Sequence, residues 1–498
     1  MAPMSKTKLP GFTGPEICRF EAHEVVDLLK RREVSPKELL DAAFARIDAV
    51  EPAINAMPTI CRDRAYAAAE AISQDNKDHP GWLAGLPLGI KDLDRVKGVR
   101  TTFGTQGMAD SVPDLSEHFV ERLEDRGGIV VGKTNTPEMG AGGNTFNEVF
   151  GRTRNPWNTA LNPGGSSGGA AASLATGETW LSQGSDHGGS LRTPAAYCGV
   201  VGLRPTPGRV APTLNAGASA ARFTEGVIGP MARSVRDCAL FLDALSGFEP
   251  AYPASFPAPD TPFQNAVLNA DQNVRIAWAP DLNGLCPVEP TVANALTKAL
   301  GKVEAEGGTV VEDCPDITGL RRAYLALRAL GFATSFARTP ESITRHFKKT
   351  LTQNWQEAKA ITLQDFADAH IDATTIFLNV QSFLKDFDVL ACPTVGCMPR
   401  ASEVEWIDEI EGETFSHYMD WLRFAFLATT TGLPAISVPV GISDKGLPIA
   451  IQLIGPPRGE AKVLAVGRAV EMAVGGPFGP IDPVATIGRG KNPGNPGV

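Results

Sequence analysis

The sequence predicts an α/β protein built as one large domain, and three observations carry that expectation. Short apolar runs of strand length alternate with longer amphipathic helical patterns along most of the chain. The 498 residues are 43% hydrophobic and 20% charged, which is enough apolar side chain for a sizeable core. No clear linker breaks the alternation; the Pro- and Ala-rich stretch 248–265 is the candidate, and it reads equally well as a surface loop. Runs that are apolar at every position suit strands covered on both faces, so helices are expected to enclose a mostly buried sheet.

Taken in order, Ser35-Pro36-Lys37-Glu38 is a capping box with proline in the first turn, and it opens a helix over ELLDAAFARIDAV. AYAAAEAI, from Ala65, continues the helical start. Strands are expected at Leu86–Ile90, Ile129–Val131, Arg275–Ala279, Val310–Val311, Val389–Ala391, Ala435–Val440 and Ile449–Ile454. Between them lie the helical patterns HFVERLEDR, SVRDCALFLDAL, TVANALTKALGKVEAEG and EAKVLAVGRAVEMA. There is no internal repeat. Residues 1–14 are expected to form an N-terminal arm, and 481–498, ending GRGKNPGNPGV, a flexible tail.

A net charge of −10 argues against a nucleic-acid partner, because phosphate binding needs a basic face. The eight cysteines are scattered without a C-x-x-C pair, as expected of free thiols in a reducing compartment. The seven histidines fall in no ligand pattern, so neither a metal nor another cofactor is expected. MAPMSKTKLPGFTG lacks the apolar segment of a signal peptide, and a cytoplasmic location follows as an expectation. The most apolar stretch, Trp421 to Val440, holds Arg423, Gly432 and two prolines, and reads as core, with no membrane association expected.

Three segments carry chemistry: PLGIKD, PGGSSGG around Ser166, and GSDHGGSLR around Ser190. Each glycine-rich serine loop alone reads as a turn or a helix cap. Their joint occurrence, with the serines 24 residues apart and Lys91 behind an apolar strand, points to acyl transfer. Glycine lets a loop turn its N–H groups toward a substrate oxygen, and a lysine kept neutral by burial can serve as base. Two rival motifs fail on context. Gly127–Thr134 fits G-x-x-x-x-G-K-[ST], but its interior Ile129-Val130-Val131 is strand and a helix end precedes it. Gly164–Gly168 fits G-x-S-x-G, but a loop, NPWNTALNP, stands where a nucleophile elbow needs a strand.

PGGSSGGAAASLATGETWLSQGSDHGGSLRTPAAYCGVVGLRPTPGRV resembles the core of the amidase signature family nearly throughout. PLGIKD, VGKTNTPE, GLPAISVPVG and GLPIAIQLIG resemble its flanking segments. The resemblance implies a single catalytic domain over 15–480, a mixed sheet with helices on both faces, and no cofactor. It also implies Ser190 as nucleophile, Lys91 as base, and Ser166 as the bridging serine after a cis Gly165–Ser166 peptide. Ser167 would support this serine, and Asp186 and Arg192 would brace the loop from behind. The oxyanion hole would be the N–H groups of His187, Gly188, Gly189 and Ser190, with the His187 imidazole expected to matter less than its backbone. Arg204 stands where the family has lysine, a change expected to be structural.

For the substrate pocket, Met139, Gly140, Ala141 and Gly142 are the candidates, with Phe332, Phe336, Trp421, Phe424 and Phe426 as a possible apolar wall or plain core. The family's range points to a small-molecule or polymer-derived amide, apolar or aryl, with carbamates (urethanes) and esters open to the same attack. A free-standing hydrolase, monomer or homodimer, is the expectation. The alternative within the family is one component of a glutamine amidotransferase, working with a partner on charged tRNA.

Overall fold

The computed structural model describes residues 9–214 and 226–485. Its strands in chain order are β1 (Thr59–Ile60), β2 (Leu86–Lys91), β3 (Gly128–Thr134), β4 (Phe146–Asn147), β5 (Gly151–Arg152), β6 (Leu181–Asp186), β7 (Val201–Arg204) and β8 (Val227–Ala232). They continue with β9 (Arg275–Trp278), β10 (Thr309–Glu312), β11 (Val389–Pro393), β12 (Glu409–Ile410), β13 (Glu413–Thr414), β14 (Ala435–Ile442) and β15 (Pro448–Ile454). Eleven of them form one sheet in the order β1-β3-β2-β6-β8-β7-β14-β15-β11-β9-β10, while β4-β5 and β12-β13 are separate two-stranded pairs.

The sheet is mixed: β3, β2 and β6 run parallel, as do β11, β9 and β10, and antiparallel pairs join the two groups. Every residue of β2, β3, β8 and β15 is buried, so both faces of the sheet are covered by helices within a single domain. This is the α/β architecture the alternating pattern predicts.

Local expectations are met where periodicity is strong. Ser35 accepts the Glu38 N–H at 3.2 Å while Glu38 returns to the Ser35 N–H at 2.8 Å, and the helix runs Pro36–Ile54. The G-x-x-x-x-G-K-T segment is β3, with Lys133 buried and donating to the Asp94 carbonyl at 2.6 Å and Thr101 at 2.8 Å. Three central strands escape the pattern. β6, LSQGSD, is polar at most positions, yet it lies between β2 and β8, with Gln183 and Ser185 turned toward the site. β7 and β8 are short or interrupted by glycine and proline, which blurs their period.

The stretch 248–265 is no linker. Tyr252 and Phe263 are buried, and Phe256 lies under the guanidiniums of Arg209 and Arg458, 4.3 and 4.5 Å from its ring centre. The expected tail also begins too early. Ile481 donates to the Ala175 carbonyl at 2.9 Å, Asp482 donates to the Gly11 carbonyl at 2.7 Å, and Arg46 ion-pairs with Asp482 at 2.9 Å. Residues 481–485 thus bind the arm segment around Gly11 to the body, because the buried Arg46 needs these acceptors. Residues 1–8 and 486–498 of the expected arm and tail lie outside the described residues. No helix among the described residues is long and apolar enough to cross a membrane, and all eight cysteines are free thiols.

Candidate active site

Strand β2 delivers Lys91 to its carboxyl end, fully buried between β3 and β6. Its backbone N–H donates to Gln183 Oε1 at 3.0 Å, tying β2 to β6 at the level of the site. The Lys91 ammonium meets three hydroxyls: Ser166 at 2.7 Å, Ser167 at 2.8 Å and Ser185 at 3.1 Å. Three acceptors satisfy the three N–H bonds of a protonated lysine, and the same hydroxyls can donate once the proton leaves. Burial pulls the Lys91 pKa down to about 7, against the opposing pull of Asp94 and Asp186. A neutral amine is therefore accessible near physiological pH.

The Gly165–Ser166 peptide is cis. Gly165 leaves no room for a side chain, since a Cβ would stand 2.9 Å from the Gly142 carbonyl oxygen. Thr145 Oγ1 clamps the loop, donating to the Gly164 carbonyl at 2.8 Å and accepting the Gly168 N–H at 3.1 Å. A helix, Gly168–Thr176, starts directly behind it.

β6 ends at Asp186 and passes into the loop that carries Ser190. The Ser167 N–H donates to the Ser190 carbonyl at 3.1 Å, so the two serine loops are joined directly. Asp186 organises the turn: its carboxylate accepts the N–H groups of Gly189 at 3.1 Å and Leu191 at 3.0 Å, and two hydrogen bonds from Arg192 at 3.0 and 2.8 Å. Against the opposing effect of burial, Arg192 and then Arg204 hold this carboxyl well below the usual range. Arg204 also donates to the Asp186 carbonyl at 2.9 Å, a structural role behind the loop.

The expected oxyanion hole needs one correction. The Gly189 N–H is committed to Asp186, whereas the N–H groups of Gly188 and Ser190 meet no acceptor among the described residues. Gly189, at φ +92°, makes the turn possible, and its N–H braces the loop against Asp186 instead of serving an oxyanion. His187 does more than offer its backbone. Its ring lines the cavity, its Nδ1 lies 3.4 Å from both the Tyr324 hydroxyl and Arg328, and its carbonyl accepts from Thr429 Oγ1 at 2.5 Å.

Ser166, Ser185 and Ser190 open onto one cavity of about 470 Å³, a volume suited to a small organic molecule. Met139 and Gly140 line it as expected, with Phe332 and Phe336 as part of an apolar wall. Ala141 and Gly142 do not. Ala141 is packed against Phe336, Phe347 and Leu351, and Gly142 turns away with a Cβ direction toward Lys348 and Pro137. Trp421, Phe424 and Phe426 belong to the core behind. Asp94, Ser185 and Arg328 are site residues that motif reading missed. Ser185 and Asp94 lie within or next to the recognised segments, so a charge-by-charge reading of those loops would have raised them; Arg328 has no local signal.

Burial, then the charge of Glu117, pushes the Asp94 carboxyl up to about 7, and Gln183 donates to it at 3.0 Å. As an anion Asp94 favours the charged form of Lys91. Asp94→Asn should therefore move the rising limb of the pH–kcat/KM profile toward acid by about one pH unit. An unchanged or alkaline-shifted limb would contradict this coupling.

Among the described residues, the cluster that could hold a metal ion is Glu21, His23 and Asp237, away from the cavity. Asp237 caps a helix there, accepting the N–H groups of Ala22 at 2.7 Å and His23 at 2.9 Å as well as contacting His23 Nδ1 at 2.8 Å. Those bonds already account for its geometry.

A buried lysine among serines, beside a glycine-built turn and an apolar cavity, defines an acyl-transfer class of site. A family model described as Amidase matches residues 38–464, and the chain belongs to the amidase signature family. An acylamidase of Rhodococcus erythropolis is 35% identical over 459 residues, covering 90% of this chain and 94% of that protein. One component of the glutamyl-tRNA(Gln) amidotransferase of Moorella thermoacetica is 34% identical over 487 residues, covering 92% of this chain and 97% of that protein. The crystal structure of a bacterial aryl acylamidase superposes with a TM-score of 0.83 at 28% identity, covering 91% of this chain and 96% of that one. The chain is thus an enzyme of amide carbon–nitrogen bonds.

Proposed function

We propose that this protein is a self-sufficient serine hydrolase of apolar or aryl amides, with carbamates and esters as further substrates of the same attack. The observation that carries the reading is the buried Lys91 amine, held near neutral pKa and hydrogen-bonded to Ser166 on the wall of the cavity that Ser190 shares. Neutral Lys91 accepts the Ser166 proton as Ser166 takes the Ser190 proton, and Ser190 Oγ attacks the acyl carbon. The Gly188 and Ser190 N–H groups receive the negative charge that builds on the carbonyl oxygen. Ser166 then passes the proton to the leaving amine, and water releases the acyl-enzyme by the reverse route.

The apolar lining from Met139, Phe332 and Phe336 and the resemblance to an acylamidase and an aryl acylamidase support the substrate class. The amidotransferase components are relatives of nearly equal identity, so a protein that releases ammonia from glutamine for a partner is the second reading. The purified chain alone should hydrolyse an aryl amide without partner, ATP, metal or tRNA, and chelators should leave the rate unchanged. Hydrolysis confined to glutamine, and seen only after a partner protein is added, would establish the second reading instead.

A further inference from the structure

Arg328, on the helix Leu320–Phe336, reaches into the cavity wall with only 8% of its surface exposed. Its guanidinium lies over the Phe332 ring, 4.7 Å from the centre, and 5.6 Å from that of Tyr418. One terminal nitrogen donates to the Tyr418 hydroxyl, the other lies 3.4 Å from His187 Nδ1, and the buried Nε has no hydrogen-bond partner. The groups that face it are hydroxyls and an imidazole, and no carboxylate among the described residues pairs with it.

Other interior arginines are placed differently. Arg192 holds Asp186 with two hydrogen bonds, and Arg126 donates to the carbonyls of Asp243, Ala244 and Ser246 at 2.9, 2.7 and 2.8 Å. Arg209 also leaves its Nε without a partner, but it faces the Glu460 carboxylate at 3.4 Å. A guanidinium kept from water without a carboxylate and with Nε unpaired is a standing cost to the fold unless a ligand supplies the counter-charge.

We propose that Arg328 anchors a carboxylate carried by the substrate, so that the preferred substrates are amides whose apolar chain ends in a carboxylate. This rests on the reading of the cavity as the acyl-transfer site. The planar fork of arginine suits a carboxylate held bidentately. Phe332, Phe336 and Met139 supply an apolar path for the intervening chain. Asp94, on the Lys91 side of the same cavity, repels an anion and so favours the orientation in which the carboxylate lies at Arg328.

The test uses aryl amides of graded dicarboxylic acids, each paired with the methyl ketone that replaces the free carboxylate as a neutral, non-hydrolysable counterpart of similar size, and a second series with the carboxylate on the amine side. At one chain length the carboxylate member should show the higher kcat/KM, and Arg328→Gln should lower the carboxylate-to-neutral ratio by about 10- to 100-fold. Arg328→Lys should restore part of that ratio. If Arg328→Gln does not fold, competition against the unmodified enzyme decides: a free dicarboxylate should inhibit better than the diketone of the same chain length. Equal ratios in enzyme and variant, or no carboxylate preference at any length, would overturn the anchor. Turnover of the neutral amides with no carboxylate preference rejects the anchor alone, whereas failure on every amide rejects the proposed hydrolase.

Discussion

Ser190→Ala is expected to lower kcat on an aryl amide by a factor on the order of 10⁴–10⁶ while leaving the melting temperature nearly unchanged. The expectation follows from the division of labour in the loop. Ser190 contributes its carbonyl to the Ser167 N–H at 3.1 Å, and this backbone bond survives removal of the hydroxyl. The turn itself is set by Asp186 through the Gly189 and Leu191 N–H groups and by Arg192, none of which involves the Ser190 side chain. Loss of the hydroxyl therefore removes the nucleophile and leaves the N–H donors in place, so substrate binding should persist. A serine-directed covalent inhibitor should add its mass to the Ser190 peptide of the parent and to nothing in the variant. Near-normal turnover by Ser190→Ala would sink the proposed mechanism.

Replacing Lys91 by Met should be as damaging to activity and should change stability in a pH-dependent way. In the parent, kcat/KM should rise with pH through about 7, as the amine loses its proton and becomes a base. That limb should vanish with the residual activity of the variant; persistence of the limb would assign it to another group, His187 first among them. The stability sign follows from linkage. The folded-state pKa of Lys91, about 7, lies below the roughly 10.4 of an unfolded lysine, so between these values the unfolded chain binds the extra proton. Folding stability contributed at this position thus increases as pH rises across that window, and the burial penalty is full below it. Lys91→Met removes the penalty, so the difference in melting temperature between variant and parent should favour the variant most below pH 7 and shrink toward alkaline pH. A constant difference across pH would show that Lys91 is not held in the strained, near-neutral state.

The two substitutions also separate chemistry from architecture. Ser167 Oγ keeps the Ser185 backbone as donor at 3.3 Å when Lys91 is removed, and Asp92 remains paired with Lys133 at 3.5 Å. The neighbourhood is therefore supported from two sides, and loss of activity in either variant can be read as loss of a reacting group once folding has been verified.

Lys91 and the serine loops around Ser166 and Ser190 were legible in the sequence as an acyl-transfer set, because glycines, serines and a lysine behind an apolar strand are local features. The bridging role of Ser166 and the Asp186–Arg192 brace came only from the resemblance to the amidase signature family. Local apolar runs and capping chemistry also announced β2, β3, β9, β10, β11, β14, β15 and the capped helix Pro36–Ile54, but not the two-residue edge strand β1. Tertiary structure alone decided the rest. LSQGSD becomes a central strand, β6, only because β2 and β8 close on it from both sides, and a polar strand has no apolar period to announce it. Gly189 falls out of the oxyanion donors because the Asp186 carboxylate claims its N–H. Ala141 leaves the pocket because Phe336, Phe347 and Leu351 arrive from segments distant in sequence to cover it. Arg328 meets His187 across 141 positions of chain, a contact that no local periodicity encodes. Backbone chemistry is written in neighbouring residues, whereas the shape and charge of a cavity depend on which remote elements the packed core brings to its wall.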